Sequence, residues 1–363
     1  MNPGGRIESD VRAIALPDGR RVGQPGHDVA RKYLLGRLEE IGLEPFRGDS
    51  FELPFEREGT RFTNLVGVIP GADRSLPPVL VGAHYDSAWV TDEHGGYTDG
   101  PCADDNATAV AVVLAAAETF VSEPLQRDVV IAMFDSEEPP YFLGPAMGST
   151  RFYEDHCADT RFACAVILDL IGHDVEFGLG QAEDSFPHLR NLIFVTGAES
   201  EPLRLPGVVE RASDSVANEL RVVPTLTSYI GDISDYHAFR LGGEPYLFLS
   251  CGQGRYYHHV LDSLKTPGWI KFDKVHRVFH LVVELLREAD ADGPEAEQES
   301  AGELDEVSTD SDAPDTLEFE IRLLRQALGG FLPLLLGQLG LEAIRSREDF
   351  NQLASVLGRV LVD

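Results

Sequence analysis

The stretch Pro78-Val79-Leu80-Val81-Gly82-Ala83-His84-Tyr85-Asp86-Ser87 decides the fold. Apolar or small residues run without a break from Val79 to Ala83, and polar residues follow at once. A run this short and this continuously apolar fits a strand buried on both faces, as in a parallel sheet covered by helices. His84 and Asp86 then stand just past its carboxyl end.

The pattern repeats on either side. DVVIAMFDSEE from Asp128, FACAVILDLIG from Phe162, NLIFVTG from Asn191, Arg221–Leu226 and EPYLFLSCG from Glu244 read as further strands, and FELPFE and RFTNLVGVIPG precede them. Helical spacing lies between. In His27–Ile41, residues Val29, Tyr33, Leu34, Leu38 and Ile41 share a face and Gly42 supplies the stop. Ala107–Phe120, Leu203–Leu220 and Ile270–Ala289 are the other helices predicted. Strands alternating with helices imply an α/β fold with a mostly parallel sheet.

Composition bounds the function. The 363 residues carry a formal net charge of -31, which repels nucleic-acid phosphates and anionic lipid, so neither nucleic acid nor membrane is an expected partner. The four cysteines, Cys102, Cys157, Cys164 and Cys251, form no CxxC pair and are too few for a disulfide scaffold. MNPGGRIESD lacks the apolar core of a signal peptide, which predicts a cytoplasmic protein. The longest apolar stretch, Phe331–Leu341, is broken by Pro333, Gly337 and Gln338 and is too short to span a bilayer.

Between Arg287 and Arg322 there are 14 acidic residues and no basic one. That composition predicts a self-repelling, disordered linker over 289–315, following a main domain over 1–288. Helical patterning returns over 316–363. Leu323, Leu324, Leu328, Phe331, Leu334 and Leu335 are too many apolar groups to leave in water, so these helices are expected to pack on the main domain or to pair with another copy in a homo-oligomer.

Polar residues gather where the buried strands end: His84 and Asp86, the loop GPCADDNAT with Asp104 and Asp105, Glu137 and Glu138, Asp169, and His258. In open α/β sheets the ligand crevice lies beyond the carboxyl ends of strands. Each piece alone is weak, since His-x-Asp or Glu-Glu serves equally well as a solvated turn. Together, two histidines with several carboxylates and no cysteine suit Zn²⁺, with Co²⁺ or Mn²⁺ as substitutes.

GAHYDS, GPCADDNATAVAVVL, FDSEEPPYFLGPAMGS, VILDLIG and YYHHVLDS resemble the successive metal-site motifs of the co-catalytic di-zinc aminopeptidase family, the bacterial leucyl aminopeptidase and aminopeptidase Y type. Glutamate carboxypeptidase II and glutaminyl cyclase are relatives. The resemblance runs from about Gly26 to Glu288. It implies a three-layer α/β/α zinc-peptidase fold and an exopeptidase acting on the N-terminal residues of peptide substrates, with glutaminyl-peptide cyclotransferase on one zinc and a non-catalytic scaffold as alternatives. Carried over, His84 and Asp169 would hold one zinc, Glu138 and His258 the other, and Asp104 would bridge them, joined to Asp105 by a cis peptide. Asp86 would fix the His84 ring, Glu137 would be the general base, and Tyr257 would donate to the oxyanion.

Two segments depart from the family pattern or blur it. The final motif is usually His-Thr-x-x-Asp-Thr, whereas here His258-His259-Val260-Leu261-Asp262-Ser263 leaves His259 as a second candidate, with spacing to Asp262 favouring His258. SDYHAF resembles another family element and would bring Asp235 and His237 near the site, although capping or packing suits His237 better. His173 reads as a satisfied loop histidine and Cys102 as a small packing residue.

Overall fold

The computed structural model describes residues 4–157, 160–177, 187–291 and 316–362. Eleven strands occur among them: β1 Glu44–Pro45, β2 Glu52–Arg57, β3 Thr60–Ile69, β4 Val79–His84, β5 Trp89–Thr91, β6 Tyr97–Asp99, β7 Val129–Phe134, β8 Cys164–Leu168, β9 Leu192–Thr196, β10 Arg221–Thr225 and β11 Tyr246–Ser250. The helices are α1 Ile7–Ile14, α2 Pro25–Ile41, α3 Ala109–Ser122, α4 Gly148–His156, α5 Leu205–Val216, α6 Thr227–Ile230, α7 Tyr236–Leu241, α8 Phe272–Ala291, α9 Leu317–Leu328, α10 Leu332–Gln338 and α11 Arg347–Val362.

One sheet runs β1-β3-β7-β4-β8-β11-β9-β10, with β2 paired to β3, and β5–β6 forms a separate hairpin. The four central strands β7, β4, β8 and β11 are parallel. β3 joins them antiparallel on one side and β9 on the other. Every residue of β4, β7, β8 and β11 is buried, as their unbroken apolar runs require. Parallel pairing has a consequence for chemistry: the chain leaves Phe134, His84, Leu168 and Ser250 at the same edge, so four exit loops converge there.

Helices cover the sheet. α3 and α8 pack on each other and on central strands, and α5 lies along α8. The alanine run of α3 is buried almost throughout, and its small side chains permit close contact with α1, α8 and β4. α4 and α7 pack on one another and on β3, β7, β8 and β11 as the second helical layer. The sequence reading misses α1, α4, α6, α7 and the β5–β6 hairpin, all short elements; α1 carries Ile7, Val11 and Ile14 at helical spacing but spans only 8 residues.

The C-terminal helices join the same core. α9 lies on the edge strand β10 and buries Phe319, Leu323, Leu324, Ala327 and Leu328. α11 buries Phe350, Leu353, Ala354, Leu357 and Leu361, a single stripe at helical spacing. Of the six apolar residues expected to be covered, only Leu334 is exposed. α8 continues through Ala289–Ala291, past the expected linker start, and the remainder of that linker lies outside the described residues. No described helix is long and apolar enough to cross a membrane.

Candidate metal centre

The four exit loops carry the site. Beyond β4, His84 is buried and points its Nε2 between two carboxylates, 3.4 Å from Asp105 Oδ1 and 3.5 Å from Asp169 Oδ1. Beyond β7 come Glu137 and Glu138, and beyond β11 the loop returns with Tyr257 and His258. His258 Nε2 lies 3.3 Å from Asp105 Oδ2 and 3.2 Å from Glu138 Oε2. Asp105 thus stands between the histidines with one oxygen toward each.

The structure corrects one expectation here. Asp104 does not face this cluster. Its carboxylate accepts from the Gly172 N–H and Thr108 Oγ1 and pairs with His173 Nδ1. The chain kinks through Ala103–Thr108, which sends the two neighbouring carboxylates in opposite directions. The cis peptide is likewise one residue later, at Asp105–Asn106. Nothing in the pattern Asp-Asp distinguishes first from second. The Thr108 hydroxyl four residues after Asp104 is the one local hint that the first is locked inward.

Two triads result: His84, Asp169 and Asp105 Oδ1, then His258, Glu138 and Asp105 Oδ2. Metal–ligand bonds of about 2.0–2.1 Å place the corners of a tetrahedron roughly 3.3 Å apart, which matches the spacings just given. His84 Nε2, Glu138 Oε1, Asp169 Oδ1 and His258 Nε2 are buried and make no hydrogen bond, so these donors are unspent. Asp86, Asp105, Glu137, Glu138, Asp169 and Asp235 are six buried carboxylates around two histidines. That much negative charge in one dry volume calls for cations. The residues present therefore fit bound metal.

Hydrogen bonds outside the cluster hold it in place. Asp86 lies 3.5 Å from His84 Nδ1, yet its two oxygens accept the backbone N–H groups of Glu137 at 3.0 Å and Glu138 at 3.2 Å. Asp262 accepts from the N–H groups of Asp104 and Asp105 and from Trp269 Nε1. His259 turns away, its Nδ1 accepting the Leu261 N–H. Arg20, fully buried, donates to the carbonyls of Tyr85, Pro101, Cys102 and Asp105, stitching the β4 exit to the Asp105 loop. Sequence reasoning missed Arg20, because an arginine in a glycine-rich loop looks solvated. Cys102, Ser136, Leu170 and His258, each within three residues of a donor or itself one, have left-handed φ, an uncommon and costly conformation for residues with a Cβ.

Electrostatics follow burial. Burial, reinforced by Glu138, Asp235 and Asp169 against the opposing pull of His84, holds the Glu137 carboxyl well above its ordinary value. Burial, with the charges of Asp105, Glu138, Glu137 and Asp169, pushes the Tyr257 phenol far up, so it stays a proton donor. Asp235 is fully buried, and burial, with the charges of Asp86 and Asp169 adding to it against His84 and Ser149, raises it to about 7. His237 pairs with Asp232, and Cys102 is buried with its carbonyl on Arg20.

A crevice of about 60 Å³ opens on the cluster, lined by Asp105, Glu137, Glu138, Asp169 and Tyr257 among others. A larger groove of about 1100 Å³ lies beside α6 and the start of α9 and holds none of these donors.

Residues 64–283, more than half of the chain, match the model of peptidase family M28. The chain belongs to peptidase family M28. Among solved structures, a Zn-dependent exopeptidase from Parabacteroides distasonis superposes with a TM-score of 0.59 at 16% identity, over 78% of this chain and 97% of that one. A glutaminyl cyclase from Tannerella forsythia gives 0.60 at 17%, over 78% and 98%. The LapA aminopeptidase of Legionella pneumophila gives 0.60 at 16%, over 80% and 71%. At such identities the likeness is one of fold. The uncharacterized protein YfbL of Escherichia coli is 38% identical over 117 residues, which span 32% of this chain and 34% of that protein. Zinc is the metal of the exopeptidase sharing this fold, and the donor set suits it.

Proposed function

We propose that this M28 chain is a zinc aminopeptidase that holds two zinc ions and removes N-terminal residues from unblocked peptides. The observation that carries the reading is the pair of donor triads sharing Asp105. His84 and Asp169 would hold one ion, His258 and Glu138 the other, and Asp105 both. A cyclase on a single zinc would need only one group of three donors, such as His84, Asp105 and Glu138, whose ligand atoms lie within 4.8 Å of one another.

Bound zinc would polarise the scissile carbonyl and lower the pKa of an attacking water toward neutrality. The chain's own residues supply the remainder. Glu137 lines the crevice with its Oε2 3.8 Å from His84 Nε2 and belongs to neither triad, which leaves its carboxylate to take a proton from water and pass it to the leaving amine. Asp86 keeps Glu137 and Glu138 apart in function by fixing both of their backbone N–H groups. Tyr257 stacks on His258 and offers its phenol as a donor to the developing oxyanion.

The test combines metal analysis with turnover. The expected result is two zinc equivalents per chain, chelator-sensitive release of nitroaniline from aminoacyl-nitroanilides, and no turnover once the substrate amine is acetylated. One equivalent, with ammonia released from an N-terminal glutaminyl peptide, would replace this reading with cyclotransferase. Absence of bound metal would point to a scaffold.

A further inference from the structure

The crevice has an apolar side, and part of it comes from outside the shared domain. Pro139, Phe142, Leu170, Ile233, Phe248 and Leu361 face the same space as Glu137, Asp169 and Tyr257. Five of the six lie within the region matched by the family model, whereas Leu361 belongs to α11. Its side chain is buried, being 1% exposed.

Leu361 is held there by more than its own contacts. Its carbonyl accepts the Gln253 N–H at 3.2 Å, tying the last turn of α11 to the loop that carries Tyr257 and His258. One turn earlier, Gly358 sits against Tyr229 and Ile230 of α6, so close that a Cβ would approach Tyr229 Cβ to 3.2 Å. α6 leads directly to Ile233, another residue of the crevice wall. The helix is therefore clamped at both flanks of the opening.

We propose that Leu361 closes the apolar side of the crevice and restricts the substrate's N-terminal residue to a small side chain, alanine or glycine in size; this rests on the aminopeptidase reading above. The size of the space is the argument. Pockets that accept drug-sized ligands measure roughly 300–1,000 Å³, against about 60 Å³ here. Leu361 lines that space together with Pro139, Phe142, Leu170, Ile233 and Phe248, so its side chain takes up room on the apolar side.

The test uses amino-acid hydroxamates, which chelate zinc and present a chosen side chain, titrated calorimetrically into the full-length zinc-loaded protein. Wild type should bind alanine hydroxamate at least about tenfold tighter than leucine or phenylalanine hydroxamate, the scale on which pocket size discriminates. Leu361→Ala should gain about tenfold for the two larger probes and change little for alanine. Leu361→Val, a smaller change to the core, should shift selectivity the same way by less. Equal wild-type binding of alanine and phenylalanine hydroxamates, or an unchanged ranking in both variants, would overturn the proposal. If no hydroxamate binds any form, the zinc reading fails and this one with it. If the ranking shifts as expected but no aminoacyl-nitroanilide is hydrolysed, only the catalytic reading falls.

Discussion

Asp86 reaches across from the β4 exit to the β7 exit and accepts the Glu137 backbone N–H at 3.0 Å. With its other oxygen on the Glu138 N–H and His84 beside it, one carboxylate ties together a donor from each half of the centre and the candidate base. Asp86→Asn keeps the shape but can accept on one oxygen only. Support of this kind is typically worth 10–100-fold in metal affinity or activity. The variant should stay folded, with zinc affinity or kcat reduced by about that range; wild-type values for both would show that Asp86 is dispensable.

Asp104 and Asp105 are adjacent and both buried, yet they should behave differently. Asp105→Ala removes the carboxylate facing both histidines and should abolish stoichiometric metal binding. Asp104→Asn should retain metal and instead lose stability by about 1–3 kcal/mol, because Gly172, Thr108 and His173 lose a charged partner. Metal analysis beside urea unfolding separates the two. Loss of metal in the Asp104 variant alone would restore the original assignment.

This pair also marks the limit of the sequence. β4, β7, β8 and β11 are legible because a strand buried on both faces must be apolar at every position, and chemistry-bearing residues must then wait until the strand ends. That makes His84, Glu138, Asp169 and His258 candidates past the strand ends, while their roles as ligands come from the resemblance to the di-zinc aminopeptidase motifs. Which of two neighbouring aspartates faces the cluster depends on the kink at 103–108, set by Arg20 and Asp262 from distant parts of the chain. Leu361 was legible only as one apolar position of a helix, because its proximity to the crevice depends on docking some 100 residues away from Tyr257 in sequence.

The C-terminal helices should prove integral to the fold. Leu324 is fully buried in α9 against the same core as the sheet. Leu324→Ala should cost about 2–5 kcal/mol in denaturant unfolding. A cost under about 0.5 kcal/mol, or a separate transition that leaves metal binding intact, would mean that the helices fold apart from the sheet.

A pH dependence of stability should trace to His27. Its Nε2 pairs with Asp135 at 2.8 Å, and Asp135 also accepts the Thr63 and Ser136 N–H groups at the start of the loop carrying Glu137. Burial alone would lower the imidazole pKa, but the hydrogen bond and charge of Asp135, with smaller contributions from Asp86 and Asp28, raise it above 6.5. A group whose folded pKa is raised stabilises the fold fully below its unfolded value and loses that contribution as pH climbs through the folded one. The melting-temperature gap between wild type and His27→Gln should therefore be widest near pH 6 and narrow toward pH 9. A gap that widens with pH would reverse the assignment.

Arg20 offers the sharpest test of how the centre is held. Its planar guanidinium serves four carbonyls at 2.8–3.0 Å, belonging to Tyr85, Pro101, Cys102 and Asp105. Lysine keeps the charge but not the fork, and an ammonium at the end of a flexible stem cannot reach all four. Each buried carbonyl left without a donor costs about 1–3 kcal/mol. Arg20→Lys should thus lower stability and, because Cys102 and Asp105 lose a shared anchor, weaken zinc binding as well. Arg37 provides the control. It is a buried arginine paired with Asp10 and Glu118, contacting none of the site residues. Arg37→Lys should lower stability without changing zinc affinity in the folded protein. If both variants lose stability alike and neither changes zinc affinity, Arg20 supports the fold but does not position Asp105.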